Sequence, residues 1–266
     1  MVGTALDPPR QSDVRFSADR TDFLLLFFAQ AQKASRCDVS FMPTSPSSLS
    51  QRFDLVVFDW DGTLFDSTAL IARCIQAACA DVGTVVPSEA DARYVIGLGL
   101  HDALRHAAPA LAPDDYPALG ARYRHHYFAR QHELVLFDGV LDLLHALKRR
   151  GRRLAVATGK SRRGLDDALA GVQLRGVFDA TRTADETFSK PHPRMLLELI
   201  DQLDVTAART LMIGDTTHDL QLAANAGAAS VAVSYGAHER EAFALHAPLH
   251  VAHSVPELAV WLAEHG

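Results

Sequence analysis

Short apolar runs, set between amphipathic stretches, constrain this chain more than any other feature. Leu55-Val56-Val57-Phe58, Leu154-Ala155-Val156-Ala157, Leu211-Met212-Ile213 and Ser230-Val231-Ala232-Val233 lack the polar alternation of a strand with one wet face. A strand apolar on both sides must be covered on both sides, which is the condition of a parallel sheet between helices. His250-Val251-Ala252 is a weaker candidate for a last strand. Between the runs, Val140, Leu143, Leu144 and Leu147 share one helical face. Arg149-Arg150-Gly151 follows, two cations suited to a helix C-terminus and a glycine that stops it. Leu196, Leu199, Ile200 and Leu203 form a second face, with Pro193 suited to the first turn. The expected fold class is α/β, a parallel sheet core flanked by helices.

Residues 67–137 break this alternation. Ile71, Cys74, Ile75, Ala78 and Val82 fall on one helical face, and the rest reads as further helix without a convincing strand. An inserted all-helical cap is expected here, over the carboxyl edge of the sheet where open α/β sheets bind ligands. The core then comprises residues 51–66 and 138–266. Residues 1–50 differ, with one apolar burst, Phe23 to Ala29, and a Ser/Pro-rich segment from Pro43 to Ser48. The burst falls far short of the roughly 20 apolar residues of a membrane span. Ala29-Gln30-Ala31 resembles a secretion cleavage site, but Asp7, Asp13, Asp19 and Asp22 offset Arg10, Arg15 and Arg20, and a signal needs a positive start. The segment reads as a poorly ordered extension, with Met42 as an alternative natural start; intact mass of the native protein distinguishes the two.

Composition narrows the function. A net charge of -6 with scattered basic residues gives no footprint for nucleic acid. The 13 histidines match no zinc spacing, and His125-His126 are expected to face solvent. Cys37, Cys74 and Cys79 are an odd count without paired spacing, which fits a reducing cytoplasm better than a disulfide framework.

The stretch DLVVFDWDGTLFDS then poses a problem: a buried strand runs into mutually repelling acids, Asp59 and Asp61. Asp-Gly alone reads as a hairpin turn, yet no returning strand follows Asp66. Thr158-Gly159 follows the second run, Asp215 follows the third with Asp219 four residues on, and Lys190 sits in SKPHP ahead of a helix. In a parallel sheet these ends share one edge. Gathered carboxylates need a cation, and hard oxygen ligands near phosphate suit Mg²⁺. One carboxylate can then attack phosphorus, while another protonates the leaving oxygen and later activates water. Thr158, Lys190 and strand-end amides can bind phosphoryl oxygens. Simpler roles stay open: Thr158 as a helix cap, Lys190 as a surface lysine, Asp219 as a first-turn helix acid. Lys160 and Arg162-Arg163 read as a solvated helix start.

DWDGTLFDS, VATGK, SKPHP and GDTTHD, in that order, resemble the four motifs of the haloacid dehalogenase-like hydrolases, over roughly residues 54–262. The resemblance implies a Rossmann-like core with a helical cap. It makes Asp59 the nucleophile and Asp61 the acid/base, with Thr158, Gly159 and Lys190 on the phosphate. Mg²⁺ would be held by Asp59, the main-chain carbonyl of Asp61 and Asp215, and Asp219 would orient Lys190 or metal-bound water. Dehalogenases of this superfamily lack the second aspartate, so Asp61 favours hydrolysis of a phosphate ester or anhydride. The insert's position is similar to the cap of the phosphoglycolate phosphatase-like branch. The implied protein is a Mg²⁺-dependent, cytoplasmic phosphatase, monomeric or homodimeric, with no nucleic acid or membrane partner. Its substrate would be a small phosphorylated metabolite, phosphoglycolate-like or a sugar phosphate, hydrolysed through a phospho-aspartate. A phosphosugar mutase of the β-phosphoglucomutase type, a pyrophosphatase and a non-catalytic phospho-ligand binding module remain open. Within the cap, Gly97 and Gly99 allow a tight loop. His101, Arg105 or His106 are candidates for the far end of the substrate, Arg105 through a two-point bond to a carboxylate; the equal alternative is the solvent face of a cap helix.

Overall fold

The structure, a computed structural model, describes residues 52–266. The expectations for residues 1–50, including the apolar burst and the Met42 start, lie outside the described residues. After β1 (Leu55–Phe58) come the helices α1 (Thr68–Asp81), α2 (Glu89–Tyr94), α3 (Leu100–Ala107) and α4 (Tyr116–Arg130). Helix and strand then alternate through α5 (Val140–Arg149), β2 (Arg153–Thr158), α6 (Arg162–Gly171) and β3 (Ala180–Thr183). The chain finishes with α7 (Arg194–Gln202), β4 (Thr210–Gly214), α8 (Thr217–Asn225), β5 (Ala229–Val233), β6 (Val251–Ala252) and α9 (Val255–His265).

The strands form one parallel sheet in the order β3-β2-β1-β4-β5-β6. Successive side chains of a strand point to opposite faces, and the two cores divide on that rule. Val56, Phe58, Leu154, Val156, Leu211 and Ile213 pack with α5, α6 and α9. Leu55, Val57, Ala155, Ala157 and Met212 pack with α7 and α8 on the other face. This is the helix-covered parallel sheet that the apolar runs require. β3 is an exception to that reading. Its sequence Ala-Thr-Arg-Thr carries no apolar run, because an edge strand needs little burial and is only half enclosed.

The inserted helices have an apolar cluster of their own, with Ile71, Ile75, Ala78, Val95, Ile96, Leu104 and Leu119. Cys74 is buried there as well, and burial pushes its thiol up to about 11. The two connecting segments run side by side: Asp66 N–H donates to Val135 at 2.9 Å and Phe137 N–H to Leu64 at 3.1 Å. Chain therefore leaves and rejoins the core at one place, beside the end of β1. No helix among the described residues is long and apolar enough to cross a membrane.

Candidate active site

Phe58 lies opposite Val156 on one side and Ile213 on the other, so β1 is the central strand. Asp59 continues it for one residue, its N–H donating to Ile213 at 2.9 Å. Its side chain consequently emerges in the middle of the sheet's carboxyl edge, fully buried. One carboxylate oxygen lies 2.8 Å from Lys190 Nζ and accepts from the Trp60 N–H at 2.6 Å. The other, Oδ2, is buried without a hydrogen-bond partner.

Lys190 also lies 2.7 Å from Asp219 Oδ1, so one buried ammonium bridges two buried carboxylates. Asp219 Oδ2 accepts from Thr216 N–H and Oγ1, closing the capping box of α8. Asp215, at the end of β4, accepts from Thr63 Oγ1 at 2.8 Å and from the Ala237 N–H at 2.7 Å. Carboxylate oxygens of Asp59, Asp215 and Asp219 lie within 4.8 Å of one another. Gly62 makes this possible: its φ of +81° suits glycine, and a β-carbon there would collide with the Asp215 carboxylate.

Three buried acids face one paired base, and the electrostatics record the imbalance. Burial drives the Asp59 carboxyl well above its usual range; Lys190 opposes this, while Asp219 and Asp215 add to it. Burial pushes Asp215 up to about 7, helped by Asp219. Burial alone would lower the Lys190 ammonium, yet Asp219 and Asp59 hold it above the usual lysine range. Excess negative charge in a dry site, with an unpartnered oxygen on Asp59, is what a hard divalent cation relieves. The all-oxygen donor set fits Mg²⁺.

The model of the haloacid dehalogenase-like hydrolase family matches residues 56–233. A probable phosphatase, IndB, of Dickeya dadantii is 36% identical over 190 residues, 69% of this chain and 82% of the relative. A phosphoglycolate phosphatase of Aliivibrio fischeri is 34% identical over 192 residues, 68% of this chain and 84% of the relative. The crystal structure of a predicted phosphoglycolate phosphatase from Haemophilus somnus superposes with a TM-score of 0.69 at 25% identity, covering 80% of this chain and 99% of that one. The chain belongs to the haloacid dehalogenase-like hydrolase family. Within it, this hydrolase is a phosphoric monoester hydrolase of the phosphoglycolate phosphatase-like branch.

Two further side chains of this hydrolase complete the edge. Asp61 is buried, accepts from Ser67 Oγ at 2.7 Å and lies 3.1 Å from Lys160 Nζ. Its carboxylate is outside the Asp59, Asp215 and Asp219 group. Thr158, the last residue of β2, is fully buried, and its Oγ1 accepts from the Lys160 N–H at 3.2 Å. Next to it, a β-carbon on Gly159 would strike the carbonyls of Gly97 and Leu98, so the insert's loop rests directly on the second motif.

Lys160 corrects the sequence reading. It is not a solvated helix start: its side chain is 11% exposed, pairs with Asp61 and donates to Tyr127 Oη at 3.0 Å on α4. Burial alone would lower this ammonium, but Asp61, Tyr127 and Tyr123 hold it above the usual lysine range. Arg163 is solvated as expected, at 91% side-chain exposure, whereas Arg162 bonds Thr181 and Asp166. His125 is exposed, but His126 pairs with Asp81 at 2.7 Å.

For Arg105 the structure favours the solvent-face alternative over a place on the substrate. It is exposed, with its guanidinium 5.8 Å from the Tyr116 ring, and does not line the cavity between insert and core. The helical repeat turns position 105 away while Ala103 faces inward. His106 likewise is exposed and bonds the Asp102 carbonyl, whereas His101 does line the cavity.

Sequence reasoning missed the second tier of contacts. Thr63 and Ser67 lie inside the quoted first motif, so that motif held a signal for them. Nothing local pointed to the loop after β5, whose Ala237 N–H holds Asp215. That loop is gripped by the insert, since Arg93 donates to Gly236 and Ala237 carbonyls. His218 and His238 both donate to the Tyr94 carbonyl at 2.9 Å. Burial holds His218 down at about 4.

Proposed function

We propose that this hydrolase is a Mg²⁺-dependent phosphatase that cleaves a small phosphorylated metabolite through a phosphoryl group carried on Asp59. The observation that carries the reading is the Asp59 carboxylate: one oxygen is tied to Lys190 and the other is buried and unpartnered, in a residue whose carboxylate comes within 4.8 Å of that of Asp215. Asp59, Asp215 and the main-chain carbonyl of Asp61 would hold the metal, with Asp219 kept to orienting Lys190. Bound there, Mg²⁺ would neutralise phosphoryl oxygens and the acid cluster.

The chain's own groups do the rest. A carboxylate oxygen of Asp59 attacks phosphorus, the phosphorus–oxygen ester bond breaks, and Asp61 gives its proton to the departing alcohol oxygen. Asp61 then takes a proton from water as the water oxygen attacks the same phosphorus, releasing inorganic phosphate and restoring Asp59. Lys190 and Thr158 offset charge on the phosphoryl oxygens. The insert excludes bulk water, and it must open for exchange because Asp59 is fully buried.

The test uses p-nitrophenyl phosphate. The parent chain with Mg²⁺ should turn it over, chelation should stop turnover and Mg²⁺ restore it, and Asp59→Asn should remove activity at both stages. Mg²⁺ at about a hundredfold over its Kd should also stabilise the parent by about 2.7 kcal/mol in urea unfolding. Asp215→Asn should lose that gain. Equal turnover after chelation would refute the metal role, and an active Asp59→Asn variant would refute the nucleophile.

A further inference from the structure

Resting on that phosphatase reading, we propose that the alcohol half of the substrate is a bulky, mostly apolar group carrying an aromatic ring. A two-carbon acid or a polyhydroxylated sugar fits the site less well. A cavity of about 600 Å³ lies between insert and core, with Asp61 and Lys160 in its wall. Asp61 donates to the departing oxygen, so the cavity that Asp61 lines is where the alcohol sits. Its size is that of sites enclosing drug-sized ligands. A two-carbon alcohol would leave most of it to water.

The wall chemistry points the same way. Ile75, Val95, Ile96, Tyr123, Tyr127 and Phe128 converge on this space. Ser161, Asp185, Thr187 and Ser189 supply polar groups on the core side, so the apolar wall is the one the insert presents. A sugar hydroxyl buried against that insert wall loses water without gaining a partner, at a cost of about 1–3 kcal/mol each. Carboxylate recognition needs an available cation at depth, yet Lys160 is committed to Asp61 and Tyr127. His101 and Arg124 also line the cavity, but both are exposed, so neither offers a buried cation.

An independent observation comes from the mouth. Phe128 and Phe188 both line the cavity yet are 50% and 61% exposed, one from the insert and one from the core, Phe188 with one side against the His192 ring. Large aromatic side chains left in water at the lip of an apolar cavity gain on burial against a ligand ring. The ligand that satisfies both observations has its phosphate at Asp59, its apolar body in the cavity and a ring reaching towards the lip.

The experiment measures kcat/KM of the full chain with Mg²⁺ for primary alkyl phosphates, whose leaving oxygens are alike. Ethyl phosphate, phosphoglycolate and glucose phosphate are compared with naphthylethyl phosphate, and p-nitrophenyl phosphate reports general phosphatase activity. Naphthylethyl phosphate should exceed the other alkyl esters by on the order of a hundredfold, the gain from burying an aromatic body. Phe128→Ala, at a half-exposed position where folding is not at stake, should narrow that ratio by about tenfold. Phosphoglycolate or glucose phosphate matching naphthylethyl phosphate overturns the substrate class while p-nitrophenyl phosphate turnover preserves the phosphatase reading. A ratio unmoved by Phe128→Ala also overturns it. No turnover of any ester, p-nitrophenyl phosphate included, removes the phosphatase reading and this inference together.

Discussion

Asp219 serves two partners with two oxygens. One closes the capping box with Thr216, and the other lies 2.7 Å from Lys190. The two duties are separable. Asp219→Asn keeps an acceptor for the Thr216 amide but removes the charge opposite Lys190, so kcat should fall roughly ten- to a hundredfold with stability little changed. Asp219→Ala loses the cap as well and should unfold about 1 kcal/mol more easily. Equal kcat in parent and Asp219→Asn would show that the charge is idle. Residues such as Asp59 and Asp215 were legible beforehand because acids at the end of a buried strand are costly without a reason. Lys160 was not. A lysine just past a strand is ordinarily solvated, and this one is enclosed by Asp61 and by Tyr127, 33 positions away.

Loops and helices set how closely insert and core approach. Gly159 is the contact point on the core side, where any β-carbon would meet the Gly97 and Leu98 carbonyls. Gly159→Ala should hold the insert off the site and lower kcat/KM by roughly a hundredfold, as a displacement near 1 Å can. Because the overlap is with backbone atoms, stability should also fall, by about 1–3 kcal/mol, so the kinetics are compared at a temperature where the variant remains folded. Unchanged kinetics in this variant would mean that the loop's approach is not needed. At this scale the central strands could be read from their apolar runs, and α1 and α5 from their helical faces. β3 could not, since a polar edge strand is defined by the neighbour it pairs with, here β2. Arg105 stayed open between substrate and solvent for a related reason: spacing places a residue on a helix but does not say which face meets the core.

The phosphatase reading requires the insert to part from the core, since Asp59 is fully buried in the arrangement described. Gly99 and Ser189 face each other across the gap: the Gly99 N–H donates to Ser189 Oγ at 2.8 Å, and a β-carbon at Gly99 would lie 3.5 Å from that of Ser189. That spacing is within the usual disulfide range of about 3.5–4.5 Å. A double variant, Gly99→Cys with Ser189→Cys, should therefore lose turnover on oxidation and regain it on reduction. Full activity in the oxidised, cross-linked form would show that substrate needs no opening. By itself, the sequence determined which strand ends carry acid, base and hydroxyl, because apolar period and motif order are local properties of the chain. The distances among those groups, the pairing of Lys160 with Asp61 and the apolar cavity beside them were decided only by tertiary structure. They depend on which faces the insert and core present to each other, and that is fixed by packing between segments far apart in the chain.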